Sequence, residues 1–523
     1  MVKIKKGKNG YDRAWERLEC YYQANRRLMD CIFVPILFAV LFFVRANNIN
    51  IKNQLHSDEV FSLMLSTCNG YYHEPIPDGT YTGEELKRMI TVDDEGGVKG
   101  AFSDIARLWK NNGDAPHASL YYMVLRMALI GFDEFGVHEF AWRGGGLNLL
   151  FFVLSFFLMY KLLRRLFGGN TLLVLAGLAM AFGNWMSIRN TLLIREYQMA
   201  ETGIILLTLI GVSFVQSVRA GKTVDHRKLC VSLSLAIAYV ISLGYFNAIY
   251  VLFFGCGVMA ACHKYKRNDY IWMLLLSGAA AIIVALILYP GFFNFLFHDS
   301  VHKERAFSSV NNMFKYIFLR DITFQFFTVY GAFIFVFVLL IVLFSKNRKM
   351  LFKSDCFHWV PVITVVCMMV IQYASVLKMA RYYYALIPML SLAVPQVIAL
   401  VPKSWKGYFE LLVTLYFPII CLMFPVRENY GWASLKGSLR QQSIVYRLNP
   451  NEVVQLVPCM DDTVSYEING KEYVDIKKDR TTFVVSKYSI GVNNDSIKSE
   501  KRLIWGKQIF LYKFDFLKNE NSR

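Results

Sequence analysis

"SLYYMVLRMALIGF", residues 119–132, decides how this chain is threaded. Read as a membrane-crossing helix, it reverses the sidedness of every loop after it. Read as a helix lying along the membrane surface, it reverses none. The stretch is shorter than the ~20 residues that cross a hydrocarbon core, and Arg126 falls near its middle. Its surroundings make this a membrane question. Blocks such as "FFVLSFFLMY", "AAAIIVALILY" and "GAFIFVFVLLIVLF" are too long and too evenly apolar for ordinary strands. With 523 residues, 55% of them hydrophobic, and a mean hydropathy of +0.35, the composition is that of a polytopic helical membrane protein.

Charge settles the reading of 119–132. Candidate spans fall at 28–46, 144–163, 171–188, 198–217, 229–245, 248–262, 270–290, 324–344, 358–377, 382–402 and 407–424, about eleven in all. With 119–132 lying flat, the later loops on one side are "KLLRR", "RAGKTVDHRK", "HKYKRN", "SKNRKMLFK" and "PKSWK", holding sixteen Lys and Arg against eight in the opposite loops after residue 144. The N-terminal segment, with eight Lys or Arg before the first span, joins the basic side. Cytoplasmic loops carry the excess of Lys and Arg, so 119–132 is expected to be interfacial, the N-terminus cytoplasmic and the C-terminus outside. The net charge of +18 is explained the same way. No basic patch with interleaved aromatic residues points to nucleic acid.

The expected organisation follows. Residues 1–27 form a cytoplasmic segment, 28–424 an all-α membrane domain with a large outer loop, 47–143, carrying juxtamembrane helices, and 425–523 a small extracytoplasmic α/β or β-rich domain. The last of these loses the long apolar blocks and shows short β-rich runs, "RTTFVVSKYSIGV" and "RLIWGKQIFLYKF", with a turn signal at "INGKEY". The first apolar block, "CIFVPILFAVLFFV", follows no signal-peptide-like leader and reads as a retained span. The ten cysteines show no C-x-x-C spacing, so neither zinc nor redox chemistry is indicated. Cys68 and Cys459 are the two in exterior polar segments, where a disulfide is chemically permitted.

This topology places several reactive residues on the outer face. "LHSDEVFS" brings His56, Asp58 and Glu59 just beyond the first span, and "DAPHASLYYMVL" brings His117 to the start of the interfacial helix. Arg143 in "EFAWRGGGLN", Arg195 and Glu196 in "LLIREYQMA", and Lys378 and Arg381 in "KMARYYYALIP" reach the same side. Singly, each has an ordinary explanation: a solvated acidic loop, a surface histidine, span-end cations reaching for headgroups, and glycines 144–146 letting helices approach. Together they form a carboxylate pair with a histidine and several arginines. A carboxylate can take a proton from a hydroxyl while cations neutralise a phosphate leaving group, which suits group transfer from a lipid-linked phosphate.

The ordered set resembles the GT-C-fold glycosyltransferases that use polyprenyl-phosphate sugars, such as protein O-mannosyltransferases and aminoarabinose transferases. Asp58-Glu59 match that family's acidic pair in the first outer loop, and His117 with Leu120-Tyr121-Tyr122 match its His-to-Tyr-Tyr helix start. Phe135-Gly136 stands for a Phe-Gly, and Phe140-Ala141-Trp142-Arg143 follows. Arg195-Glu196-Tyr197 and Arg381-Tyr382 through Pro388 complete the series, which is collinear over roughly 30–400. The departures are Ala118-Ser119 for a Pro-Pro, Gly144-Gly145-Gly146 for a Leu-Pro-Ser, and Gly244-Tyr245 for a Thr-His. The resemblance implies an inverting transferase with its active site on the outer face of a bacterial inner membrane, acting in cell-envelope glycan chemistry. It implies Asp58 as base or acceptor-orienting carboxylate, with Glu59 supporting it, and His117, Arg195, Arg381 and Lys378 on the carrier phosphate. His56, Tyr121, Tyr122, Arg143, Glu196, Tyr197 and Tyr382 would serve structure or substrate contact. The partners implied are a lipid-linked sugar donor, a glycan, lipid or protein acceptor, and membrane lipids. An Asp-Glu pair alone indicates no metal site, so the metal and cofactor requirement stays open.

Two other classes compete. A transporter or flippase for lipid-linked glycans would show inverted repeats or buried charge at the midplane, and neither repeats nor a charge inside a span is read here. A glycan polymerase or ligase of another fold would place its large outer loop late in the chain, whereas the large loop here is early.

Overall fold

The computed structural model describes residues 25–52, 57–67, 79–82, 96–110, 112, 120–131, 137–291, 339–344, 359–375, 380–423, 453–456, 481–486, 497–505 and 509–516. The chain divides into two compact units. Met1–Asn50, Ala115–Tyr121 and Gly145–Val426 make the first, and Ile51–Asp114, Tyr122–Gly144 and Arg427–Arg523 the second.

The first unit is helical. Six described helices are long and apolar enough to cross a bilayer: Leu28–Asn50, His138–Phe167, Tyr197–Arg219, Tyr245–Lys264, Asp269–Leu288 and Trp405–Met423. The Asp269–Leu288 helix shows why they are membrane helices. Tyr270, Met273, Ser277, Ala281 and Ala285 are its buried stripe, while Trp272, Leu276, Ile283 and Ile287 are 60–73% exposed on the outer one. A helix facing water would carry polar residues there. On the buried stripe small residues bring helices together, with Ala281 and Ala285 against Ala238 and Ser234 Oγ donating to the Ser277 carbonyl at 3.1 Å. The chain is an integral membrane protein built mainly of α-helices.

Two expected spans are interrupted. The 171–188 segment becomes Thr171–Phe182 and Trp185–Leu192, bent by 56°. Asn184 makes the break. Its Oδ1 accepts from Ser187 N to cap the second helix, and its Nδ2 donates to the Met180 and Ala181 carbonyls that close the first. The 382–402 segment is a 3-10 turn, Ala380–Leu386, followed by short helices Ile387–Ser391 and Ala393–Ile398. The 324–344 span lies mostly outside the described residues. Between His226–Ile241 and Tyr245–Lys264 the chain turns at Gly244, whose φ of 146° only glycine adopts freely.

Polar contacts staple one end of this unit. Asp30 pairs with Arg164 and accepts from Thr171 Oγ1 at 2.9 Å, and Asn170 Nδ2 donates to Glu410 Oε1 at 2.6 Å. Four helices, Arg26–Asn50, Val137–Phe167, Thr171–Phe182 and Lys403–Met423, are tied there. Of the glycine run, Gly145 does what close helix approach requires: a Cβ there would meet Ile49 at 3.1 Å, whereas Gly146 faces open space.

The second unit joins short helices to a sheet. Helix Ser57–Thr67 packs along Gly97–Lys110. Helix Leu120–Ala128, the heart of the 119–132 stretch, has nine residues, about 14 Å of rise against ~30 Å of hydrocarbon. Arg126 is wholly buried, with Nε 2.9 Å from Asp104 Oδ2. The arginine is thus answered by a carboxylate of the same unit. Five strands, β1 (Gly79–Thr82), β2 (Val453–Leu456), β3 (Thr481–Ser486), β4 (Ile497–Trp505) and β5 (Ile509–Phe516), form one sheet in the order β1-β2-β3-β5-β4. Only β2 and β3 run parallel; β4 and β5 are a hairpin. The edge strand β1 comes from the segment between the first two long helices, so residues 79–82 and 453–516 share a sheet. Cys68, Cys459 and the "INGKEY" turn lie outside the described residues.

Candidate active site

Residues 51–56 separate the first long helix from Ser57–Thr67. Asp58 and Glu59 occupy the first turn of that short helix, where unsatisfied backbone N–H groups and the helix dipole favour negative charge. The two carboxylates differ. Asp58 is half-buried, and its carbonyl accepts from Ser62 Oγ at 2.9 Å. Glu59 is fully buried, with Oε1 2.5 Å from Lys52 Nζ and Lys52 itself only 1% exposed. Glu59 is therefore held by a cation that the sequence reading did not single out. Lys52 lies beyond the end of Arg26–Asn50 and Glu59 lies within Ser57–Thr67, so no single helix carries the pair and spacing alone does not flag it. Lys52→Met would leave a buried carboxylate without this counter-charge, and a loss of about 3 kcal/mol is expected. It should register as a lower thermal midpoint of the purified protein, largely restored in Lys52→Arg.

Arg143 also has a clear occupation. Its Nε donates to Glu139 at 3.1 Å, and its two terminal nitrogens donate to the carbonyls of Ile130 and Gly131 at 2.6 and 3.0 Å. It closes the turn that follows Leu120–Ala128, a structural role within the second unit.

In the first unit, Arg195 and Glu196 sit in the short break between helices Trp185–Leu192 and Tyr197–Arg219. Asn148 holds that break open. Its Nδ2 donates to the carbonyls of Thr191 and Leu193 at 3.1 and 2.8 Å, and its Oδ1 accepts from Tyr121 OH at 3.2 Å. The helix end thus finds side-chain partners for carbonyls left over by its last turn. Arg195 Nε lies 3.2 Å from Glu196 Oε2, and both side chains are buried. Arg381 and Tyr382 stand in the 3-10 turn Ala380–Leu386, which packs against both helices that Arg195 and Glu196 join. The Arg381 guanidinium is half-buried, 5.6 Å from the Tyr382 ring, and that ring is 5.3 Å from Phe246. The two arginines expected on a phosphate are therefore carried by neighbouring elements at helix breaks. His56, His117, Lys378 and Phe135-Gly136 lie outside the described residues.

The expectation that no charge lies inside a span does not hold. Arg45 and Glu201 are within long apolar helices and fully buried. Arg45 donates from Nε to Thr191 Oγ1 and from its terminal nitrogens to Ser187 Oγ and the carbonyls of Phe182 and Leu41, all at 2.9–3.1 Å. Its guanidinium rests 3.9 Å above the Phe152 ring. Thr191 Oγ1 donates to Gln198 Oε1 at 2.7 Å, and Gln198 Nε2 donates to Glu201 Oε1 at 2.8 Å. Asn190 Nδ2 donates to Glu201 Oε2 at 2.9 Å. A buried cation and a buried carboxylate are thus linked through neutral side chains. Every nitrogen of the Arg45 guanidinium and both oxygens of Glu201 have protein partners, the mark of an internal brace, so this burial gives no support to a transport pathway. The signal was visible as single charges inside apolar blocks. Among the described residues no three His, Cys, Asp or Glu side chains converge as a metal site would require.

No protein-family model matches the chain, and no curated protein does. Among solved structures the chain is similar to the crystal structure of ArnT from Cupriavidus metallidurans bound to undecaprenyl phosphate, with 13% identity, 80% of this chain and 73% of that chain covered, and a TM-score of 0.41. Agreement at that level assigns neither residues nor activity.

Proposed function

We propose that the protein is an integral membrane glycosyltransferase that moves a sugar from a polyprenyl-phosphate donor to an acceptor hydroxyl on the extracytoplasmic face, with inversion. The observation that carries this reading is the pairing of Arg195 and Arg381 on packed, interrupted elements of an otherwise apolar helical unit. Cations at helix breaks in such a unit suit a phosphate whose apolar chain stays in the bilayer. Arg195, with Glu196 3.2 Å away, and Arg381 would together supply the positive charge that a phosphate needs. His117 and Lys378 would add to it. The acidic pair Asp58-Glu59 supplies the other requirement, a base held on a short helix shortly after the first span.

The step balances without a further reactant. Asp58 takes the proton of the acceptor hydroxyl as its oxygen bonds to the anomeric carbon. The bond from that carbon to the phosphate oxygen breaks, and the phosphate leaves with the electron pair, its charge met by the arginines. Glu59 keeps the first turn of the helix in place through Lys52.

The test is a purified protein given labelled polyprenyl-phosphate sugar, with acceptor-dependent release of lipid phosphate as the readout. Movement of intact donor across a vesicle membrane without release would replace this reading by a transporter. Arg381→Ala should weaken carrier binding about 10- to 100-fold, the loss of one charge-assisted contact to phosphate. Unchanged binding with a lower thermal midpoint would return Arg381 to an ordinary span-end cation.

A further inference from the structure

Helix Trp185–Leu192 has eight residues, of which six are buried. The other two, Trp185 and Arg189, are half-buried and stand one turn apart on a single side of the helix. The Arg189 guanidinium carbon lies 4.1 Å from the centre of the Trp185 ring, within reach of a cation–π contact. Other arginines that are buried or half-buried are occupied by oxygen acceptors. Arg45 and Arg143 donate to backbone carbonyls, and Arg126 and Arg164 pair with Asp104 and Asp30. Arg189 is different. Among the described residues its side chain has no ion pair and no hydrogen bond, and the tryptophan ring is what holds it.

A guanidinium partly withdrawn from water, with its N–H groups unanswered by protein, is suited to an anion. Held by a ring rather than by a carboxylate, it keeps its full charge for that ligand. The neighbourhood identifies the anion. The helix packs against the 3-10 turn Ala380–Leu386 that carries Arg381, and Arg195 follows in the break at its end. We propose that Arg189, steadied by Trp185, is a further phosphate-binding residue, donating through its planar fork to two oxygens of the carrier phosphate. The phosphate gains negative charge as its bond to the anomeric carbon breaks, and this cation stabilises it as it leaves. The inference rests on the reading of Arg195 and Arg381 as carrier-phosphate residues and adds a residue to which that reading gave no role. Bilayer phospholipids also carry a phosphate ester on apolar chains, so the test separates the two sources.

Purified full-length protein in phosphatidylcholine nanodiscs is titrated with geranylgeranyl phosphate and, in parallel, with geranylgeraniol, which lacks the phosphate. Arg189→Ala and Arg189→Gln should each weaken binding of the phosphate ester about 10- to 100-fold and leave the alcohol unchanged. Arg189→Lys should recover part of that loss, since the charge returns without the fork. Trp185→Leu should weaken the phosphate ester about 3- to 10-fold, because the guanidinium loses its support. Thermal midpoints report folding, and the longer Gln side chain carries the test if the Ala variant does not fold. Unchanged phosphate-ester affinity in Arg189→Gln, with Arg381→Ala weakened, would overturn the inference and leave the transferase reading standing. A phosphate-dependent loss in Arg189→Gln, with no acceptor-dependent release from labelled donor by the wild type, would sustain the site and remove the transferase. If phosphatidylglycerol in the nanodiscs abolishes the difference between wild type and Arg189→Gln, Arg189 serves bilayer headgroups and the inference falls.

Discussion

Asp58→Asn is expected to lower turnover about 10²- to 10⁴-fold at saturating donor, the usual loss when a general base is removed. The amide keeps the shape of the side chain at the first turn of helix Ser57–Thr67 but cannot take the acceptor's proton. Donor binding should be nearly unchanged, because a neutral side chain repels a phosphate less than a carboxylate does. The neighbouring position separates chemistry from architecture. Glu59→Gln breaks the buried pair with Lys52, so its cost should appear as a lower thermal midpoint and less folded protein, with turnover per folded molecule falling far less than in Asp58→Asn. Wild-type turnover in Asp58→Asn, measured as release of lipid phosphate at saturating donor, would make the acidic pair an ordinary helix start.

Arg45→Leu should destabilise the first unit by about 5 kcal/mol, enough to prevent accumulation of folded protein. The substitution removes the donors to Thr191 Oγ1, Ser187 Oγ and two backbone carbonyls at once. It also leaves the buried Glu201 carboxylate without the cation at the far end of its chain of side-chain bonds. Removing one partner of a buried charged system costs more than the system contributes when whole, because the remaining polar groups stay desolvated. Arg45→Lys keeps the charge but not the planar fork, so an intermediate loss is expected. Thermal unfolding of both variants in detergent checks this. A midpoint for Arg45→Leu within a few degrees of wild type would mean that water or rearranged side chains satisfy the network.

The chain by itself determined that this is a helical membrane protein, because runs such as Asp269–Leu288 can bury their apolar surface only in a core or in lipid, and only five of that helix's twenty residues are buried in a core. Spacing also marked 119–132 as too short to span, and helix Leu120–Ala128 has nine residues. Asp58 and Glu59, read from the sequence as loop residues just beyond the first span, open helix Ser57–Thr67 instead, since acidic residues after a Ser suit a helix's first turn. What only the tertiary structure decided depends on partners distant in sequence. Hydropathy treats 171–188 as one span, but the amide of Asn184 turns back onto Met180 and Ala181 and bends it. Lys52 meets Glu59 from outside helix Ser57–Thr67. Arg45 finds Thr191 and Ser187 nearly 150 positions away, and a charge inside an apolar block is tolerable only when such donors and acceptors are folded around it. The sheet takes β1 from the segment between the first two long helices and its other four strands from the C-terminal hundred residues, a pairing that local alternation cannot announce because each strand's pattern is satisfied by any partner of matching register.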